Sequence, residues 1–252
     1  MRIIKHLALA ALYTVIPALS QAADKVVVAT LEWPPYTSEA MPRLGVTSSV
    51  VEDAFTAAGM DVEIIVTPWK RAIAAAKNED DVAAYFPGYH CDHDTGFTAS
   101  APIGKGPLGF AEHVEAPLNW SSLDDIVGGE LKIGTVLGYA NTTEFDALVG
   151  SGQIRAAKAK DDLTNLRKLA RKRIDAAVID KLVLANLLAT EPTLKDAAKM
   201  IRFNDKPLED KTLFLCFTNT EGGRALRDRF DGGLAELDVD ALVDTYFEQS
   251  FK

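Results

Sequence analysis

Short apolar runs alternate with amphipathic stretches along almost the whole chain, and that alternation limits the fold more than any other feature. KVVVATL (25–31), DVEIIVT (61–67) and DVAAYFP (81–87) read as buried strands. Between the first two, SSVVEDAFTAAG (48–59) places Val51, Ala54, Phe55 and Ala58 on one stripe of a helix, with Thr47 or Ser48 as its cap and Gly59 at its end. Thr67-Pro68 opens a second helix, with Thr67 the predicted cap, Pro68 the first helical position, and Trp69, Ala72, Ile73 and Ala76 on the inner stripe. Strands alternating with helices make parallel βαβ units, so the fold class is α/β.

The pattern changes after Pro102. GKGPLGFAEH (104–113) reads as an extended connector, and Ser121 is the predicted cap of a short helix, SLDDIVGG. A second alternating series then runs from LKIGTVLG through TTEFDALVG, QIRAAKA, DDLTNLRKLARKR and IDAAVID to KLVLANLLA, before TLFLCFT (212–218) as a further strand and two closing helices. This predicts two α/β lobes, the second inserted into the first: residues 23–110 and 206–252 for lobe 1, and 111–205 for lobe 2. The 252 residues, 48% of them apolar, suffice for two such cores.

Residues 1–22 read as a secretory signal peptide rather than as part of the fold. Arg2 and Lys5 start it, an apolar run from Leu7 to about Ala18 follows, and Ser20 and Ala22 form a small-residue cleavage site. The run is too short for a stable membrane span. No cysteine stands at the cleavage point, so no lipid anchor is expected. Loss of Arg2 and Lys5 takes the net charge from -9 to -11. An exported, soluble, acidic protein of a bacterial periplasm fits these features. Such a surface repels nucleic acid. The basic stretch RKLARKR (167–173) reads as the polar face and C-terminal end of a helix, where cations suit the dipole. In an oxidising compartment Cys91 and Cys216 are allowed to form a disulfide, and the sequence leaves open whether they meet.

Four stretches together carry a resemblance: LEWPPYT (31–37), residues 45–89 from GVTSSVVEDAF to YFPGY, FTASAPI (97–103) and RKRIDAAVIDKLVLANLL (171–188). In order and spacing the chain resembles the family 3 extracellular solute-binding proteins, which include the amino-acid receptors of ABC transporters. The resemblance implies a two-lobe periplasmic-binding fold of type II, with a two-strand hinge and a ligand cleft between the lobes. It also implies a small-molecule ligand, an ABC permease or membrane sensor as partner, a monomer, and no cofactor. Amino-acid receptors of the family carry an arginine a few residues before the phenylalanine that Phe97 matches. Here that window reads HCDHDTGF, with neither arginine nor lysine.

Arg71, near the start of the second helix, is the candidate replacement, set against a plain solvent-facing role. Trp33 and Tyr36, on a proline-rich loop at a strand's end, are candidate cleft walls, as is Trp69, although Trp69 also suits the core. Gly88 and Tyr89 end the third strand on the same edge. In GYANTTEF (138–145), which includes Tyr139, Asn141 or Thr142 caps a helix or meets a ligand at its N-terminus. Asp180 matches the aspartate that holds a ligand's ammonium in amino-acid receptors, or caps KLVLANLL. Asp175 belongs to the turn before that strand. The cluster His90, Cys91, Asp92, His93 and Asp94 reads as a polar loop rather than a metal site, because neighbours in sequence rarely converge on one ion and no CxxC or HExxH motif supports them. Nor does any nucleophile motif or phosphate loop suggest catalysis. The expected function is capture of a small polar ligand, amino-acid-like or a carboxylate, for an ABC permease. The alternatives are an accessory or sensory periplasmic protein and an enzyme similar to cyclohexadienyl dehydratase.

Overall fold

The computed structural model describes residues 25–91, 93–128 and 130–250. The signal-peptide reading of residues 1–22 and the expectation for Asp92 lie outside these residues. Strand β1 (Lys25–Thr30) pairs in parallel with β2 (Asp61–Val66) and β3 (Val82–Gly88), with helices α1 (Val46–Ala57) and α2 (Trp69–Asn78) as the crossovers. A second parallel set comprises β6 (Lys132–Val136), β7 (Arg155–Ala159) and β8 (Ala176–Asp180), connected by α3 (Thr143–Gly150) and α4 (Asp162–Ala170). The short strands are β4 (Phe97–Ala99) and β9 (Ile201–Phe203), and α5 (Lys181–Thr190), α6 (Glu221–Leu234) and α7 (Val239–Ser250) complete the helices.

Two long strands join the halves. β5 (Gly104–His113) and β10 (Glu209–Thr218) pair antiparallel over Gly104–Leu108 and Glu209–Leu213. Beyond that overlap they diverge: β5 continues against β8 and β9, while β10 continues against β3 and β4. The sheet order is therefore β2-β1-β3-β10-β5-β8-β6-β7. Residue 110 falls inside β5, and residue 205 lies between β9 and β10. The stretch 104–113, expected to be a connector, is a ten-residue strand. Its glycines weaken local strand propensity, and pairing along both edges overrides that weakness.

The first half packs around Phe55, Phe217 and Phe230, whose ring centroids lie 4.9–6.5 Å apart. In the second, Phe110 meets Trp120 and Phe145 edge-on. The expected cap of α1 moves. Gly45 occupies it, with φ +100, while Thr47 and Ser48 are buried inside the first turn. A side chain there would lie 2.5 Å from the Tyr36 carbonyl oxygen, so glycine is required. Thr67 does not cap α2 either: its N–H donates to Thr30 O at 2.8 Å, which holds it to the sheet, and Pro68 takes the cap position. The short helix at Leu123–Ile126 is capped by Ser122, not Ser121, through a reciprocal capping box with Asp125. Asp175 lies in the expected turn, its carboxylate accepting from Lys132 N at 2.7 Å. Cys91 and Cys216 form a disulfide that ties the loop after β3 to β10.

Candidate functional site

The loop after β1 is a tight turn. Trp33 N donates to Thr37 O at 2.7 Å, Tyr36 N to Trp33 O at 3.0 Å, and Thr37 Oγ1 to Leu31 O at 2.7 Å. These bonds bring the Trp33 and Tyr36 rings together, stacked with centroids 4.6 Å apart. From there Tyr36 reaches across to the other half. Its hydroxyl donates to the Asp180 carboxylate, 3.1 Å from one oxygen and 3.2 Å from the other. Both residues are buried, with 3% and 2% of their surface exposed. Asp180 closes β8 and also caps α5, accepting from Leu182 N at 2.8 Å and Val183 N at 3.1 Å. Gly106 of the hinge strand β5 passes directly beside this pair. A Cβ there would sit 2.2 Å from both the Tyr36 hydroxyl and Asp180 Oδ2.

A cavity of about 120 Å3 opens next to this junction. Trp33, Trp69, Tyr85 and Tyr89 wall it from the first half, Tyr139 from the second, and His90 borders it. Trp69 stands edge-on to Tyr85 at 5.3 Å and to Tyr139 at 6.4 Å. Its indole N–H donates to Gly138 O at 3.1 Å, a second bond across the halves. Outside the cavity, and sharing Leu31, Trp69 and Tyr139 with it, runs an open groove of about 730 Å3. Glu32, Glu39, Asp161, Lys70 and Lys160 edge that groove.

Behind the aromatic wall stands Asp162, the first residue of α4. Asp161 caps that helix by accepting from Thr164 N at 2.7 Å, which leaves Asp162 on the inner face with only 6% of its surface exposed. Burial pushes the Asp162 carboxyl up to about 7. The Trp33 indole N–H lies near enough to favour the charged form, while the charges of Asp180 and Asp161 oppose it. Even so, among the described residues Trp33 Nε1 makes no hydrogen bond of normal geometry, and the buried Tyr89 hydroxyl has no partner. Burial raises Asp180 to about 6, against the backbone N–H groups of Val183 and Leu182 and the Tyr36 hydroxyl. Tyr36, Tyr89 and Tyr139 are all shifted upward, first by burial and then by nearby carboxylates, so the phenols stay neutral.

Of the residues singled out from the sequence, Trp33, Trp69, Gly88, Tyr89 and Tyr139 line the cavity, and Tyr36 and Asp180 bridge the halves beside it. Thr142 caps α3, accepting from Phe145 N at 3.1 Å, and Asn141 donates to both oxygens of Asp146 at 2.7 Å. Neither of the two lines the cavity. Arg71 is exposed on α2 and lines neither the cavity nor the groove. Among the described residues, no three of His, Cys, Asp or Glu converge as a metal site. Sequence reading missed Asp162, Tyr85 and Gly138. For Asp162 a signal existed: Asp162, Asn165, Leu166 and Leu169 share the buried stripe of α4, and only one aspartate of the doubled pair can cap.

The architecture is that of the two-lobe periplasmic-binding proteins of type II, with the second lobe inserted into the first and two strands as hinge. No family model and no curated protein matches the chain in sequence. Among solved structures, an ancestral arginine-binding protein bound to arginine is 17% identical, with a TM-score of 0.70 over 90% of this chain and 98% of its own. The ligand-binding core of GluR0 from Nostoc punctiforme, in complex with L-glutamate, is 18% identical, with a TM-score of 0.69 over 90% and 99%. A histidine kinase sensor domain with similarity to periplasmic binding proteins is 16% identical, with a TM-score of 0.72 over 90% and 96%.

Proposed function

We propose that this protein is a periplasmic solute receptor. It captures a small polar, amino-acid-like ligand between its lobes and presents the closed form to a membrane partner, an ABC permease. The observation that carries this reading is the cavity walled by aromatic rings from both halves and shut by the Tyr36–Asp180 and Trp69–Gly138 hydrogen bonds. A cavity whose walls come from two bodies joined by two strands exists only when they close. Ligand that contacts both walls therefore shifts an open–closed equilibrium. The structural neighbours support this: two hold an amino acid, and a third is a sensor domain, the other way a closed form is read at a membrane.

The test is a thermal-shift screen of refolded, ligand-free protein against amino acids, amines, carboxylates, sugars and divalent metals, with small-angle scattering on the hits. A ligand at a hundredfold excess over its Kd adds about 2.7 kcal/mol of stability. A saturable hit that also contracts the particle is the expected result. Stabilisation without contraction, or no saturable hit at all, refutes capture between the lobes.

A further inference from the structure

We propose that the interlobe cavity recognises its ligand by a cationic nitrogen, an amine or a quaternary ammonium, held inside the cage of Trp33, Trp69, Tyr89 and Tyr139, and that an α-carboxylate on the ligand is not required. This rests on the receptor reading and specifies its ligand.

Three observations converge. Among the described residues the cavity walls carry the rings of two tryptophans and three tyrosines, with His90 at the border and no lysine or arginine. Aromatic faces attract cations, most strongly when water is excluded. An incoming carboxylate would meet no lysine or arginine on the walls, where His90 is the one described side chain able to carry positive charge and Lys70 packs against Gly138 from outside, and it would lie close to the second feature, the carboxylates behind the wall. Asp162 and Asp180 are both buried, and neither forms an ion pair among the described residues; the charged groups acting on Asp162 are Asp180 and Asp161, all of one sign. Buried charges of one sign without a partner are costly, and a bound cation offsets that cost. Third, the Tyr89 hydroxyl has no hydrogen-bond partner among the described residues and is buried on the side of Asp180 and Asp162, which leaves the Tyr89 ring, not its hydroxyl, to line the cavity.

Lysines near the site stand outside the cage. Lys211 is buried beneath the Tyr89 ring, 5.4 Å from its centroid, and is paired with Glu209 at 3.1 Å. Lys70 and Lys160 edge the outer groove together with three acidic residues. The cavity, about 120 Å3, approaches the roughly 150 Å3 that takes a benzene-sized group. A compact onium head fits there, and a longer tail continues into the groove past Trp69 and Tyr139.

Calorimetry on ligand-stripped protein at pH 8 tests this with matched pairs: choline against glycine betaine, and agmatine against arginine. Within each pair the cationic group is kept and only one member bears a carboxylate. The expected result is that at least one carboxylate-free member binds tenfold or more tightly than its partner. Asp162→Asn should weaken that binding at least tenfold, and Trp69→Leu at least threefold, with far-ultraviolet circular dichroism unchanged. Equal or tighter binding of betaine and arginine overturns the ligand class while leaving capture between lobes intact. So does a wild-type protein that ignores all four probes and takes an anionic or neutral solute from the wider screen. If no solute of any class binds, both readings fall together.

Discussion

Replacing Asp162 with asparagine keeps the shape of the side chain and removes its charge. With the lobes closed and the cleft empty this carboxyl ionises near 7, against 3.8 for an unburied aspartate. Between those values the folded state keeps a proton that the unfolded chain has lost, so stability falls as pH rises through the window and levels off above 7. The full span corresponds to about 4 kcal/mol. For a protein of this size each kcal/mol moves Tm by roughly 2–4 °C, which sets a ceiling of about 8–16 °C. Structural relaxation and water entry reduce the effect, so the expected difference is about 5 °C or more. Tm is measured by differential scanning fluorimetry on ligand-free wild type and Asp162→Asn from pH 5 to 8.5. The lead of the variant over wild type should widen steadily from pH 5 to about 7 and stay constant above it. Asp180, raised to about 6 by the same burial, gives both proteins a shared decline as pH rises from 3.8 to about 6. Parallel curves across the whole range, or a variant less stable than wild type at pH 8, would refute the claim that Asp162 is a buried, uncompensated carboxyl.

Gly106→Ala places a methyl group 2.2 Å from both members of the Tyr36–Asp180 bond, so the lobes should stay apart. Ligand should then fail to contract the particle in small-angle scattering, while Tm changes little. The Cys91–Cys216 disulfide spans 125 residues, and serine at both positions should cost about 2–5 kcal/mol in urea unfolding. An unchanged transition midpoint would count against it. Arg71→Ala should leave ligand affinity within about twofold by calorimetry, because surface charges outside a site contribute little. Loss of binding in that variant would restore Arg71 as an anchor. If the ligand is a cation, its affinity should rise between pH 5 and pH 8 as Asp180 and Asp162 lose their protons, the reverse of the trend in ligand-free stability.

Much of the site's first wall was legible locally. Pro34 and Pro35 after a strand place Trp33 and Tyr36 on a loop, and the loop's own hydrogen bonds complete the turn. Asp180 was legible as a strand-ending cap because its partners, Leu182 and Val183, are two and three residues away. Caps were misplaced where a tertiary bond competed. Thr67 looks like a helix cap by residue type, yet the sheet holds its backbone first.

Sequence alone determined the α/β class, the two alternating series, most of the helices and strands, and which aromatic residues stand at strand ends. Those features follow from side-chain periodicity and turn chemistry, which act within a few residues. Only the tertiary structure decided that 104–113 is a strand, since its pairing partners lie about a hundred residues further along the chain. It also decided that Cys91 meets Cys216 and that Tyr36 meets Asp180 across 144 positions. The character of the cleft belongs to the same level. Asp162 is an ordinary helix-start aspartate in sequence and becomes a proton-holding carboxyl only when the lobes meet and bury it behind Trp33 of the first. Burial and the sum of nearby charges are properties of assembled surfaces, and no local pattern encodes them.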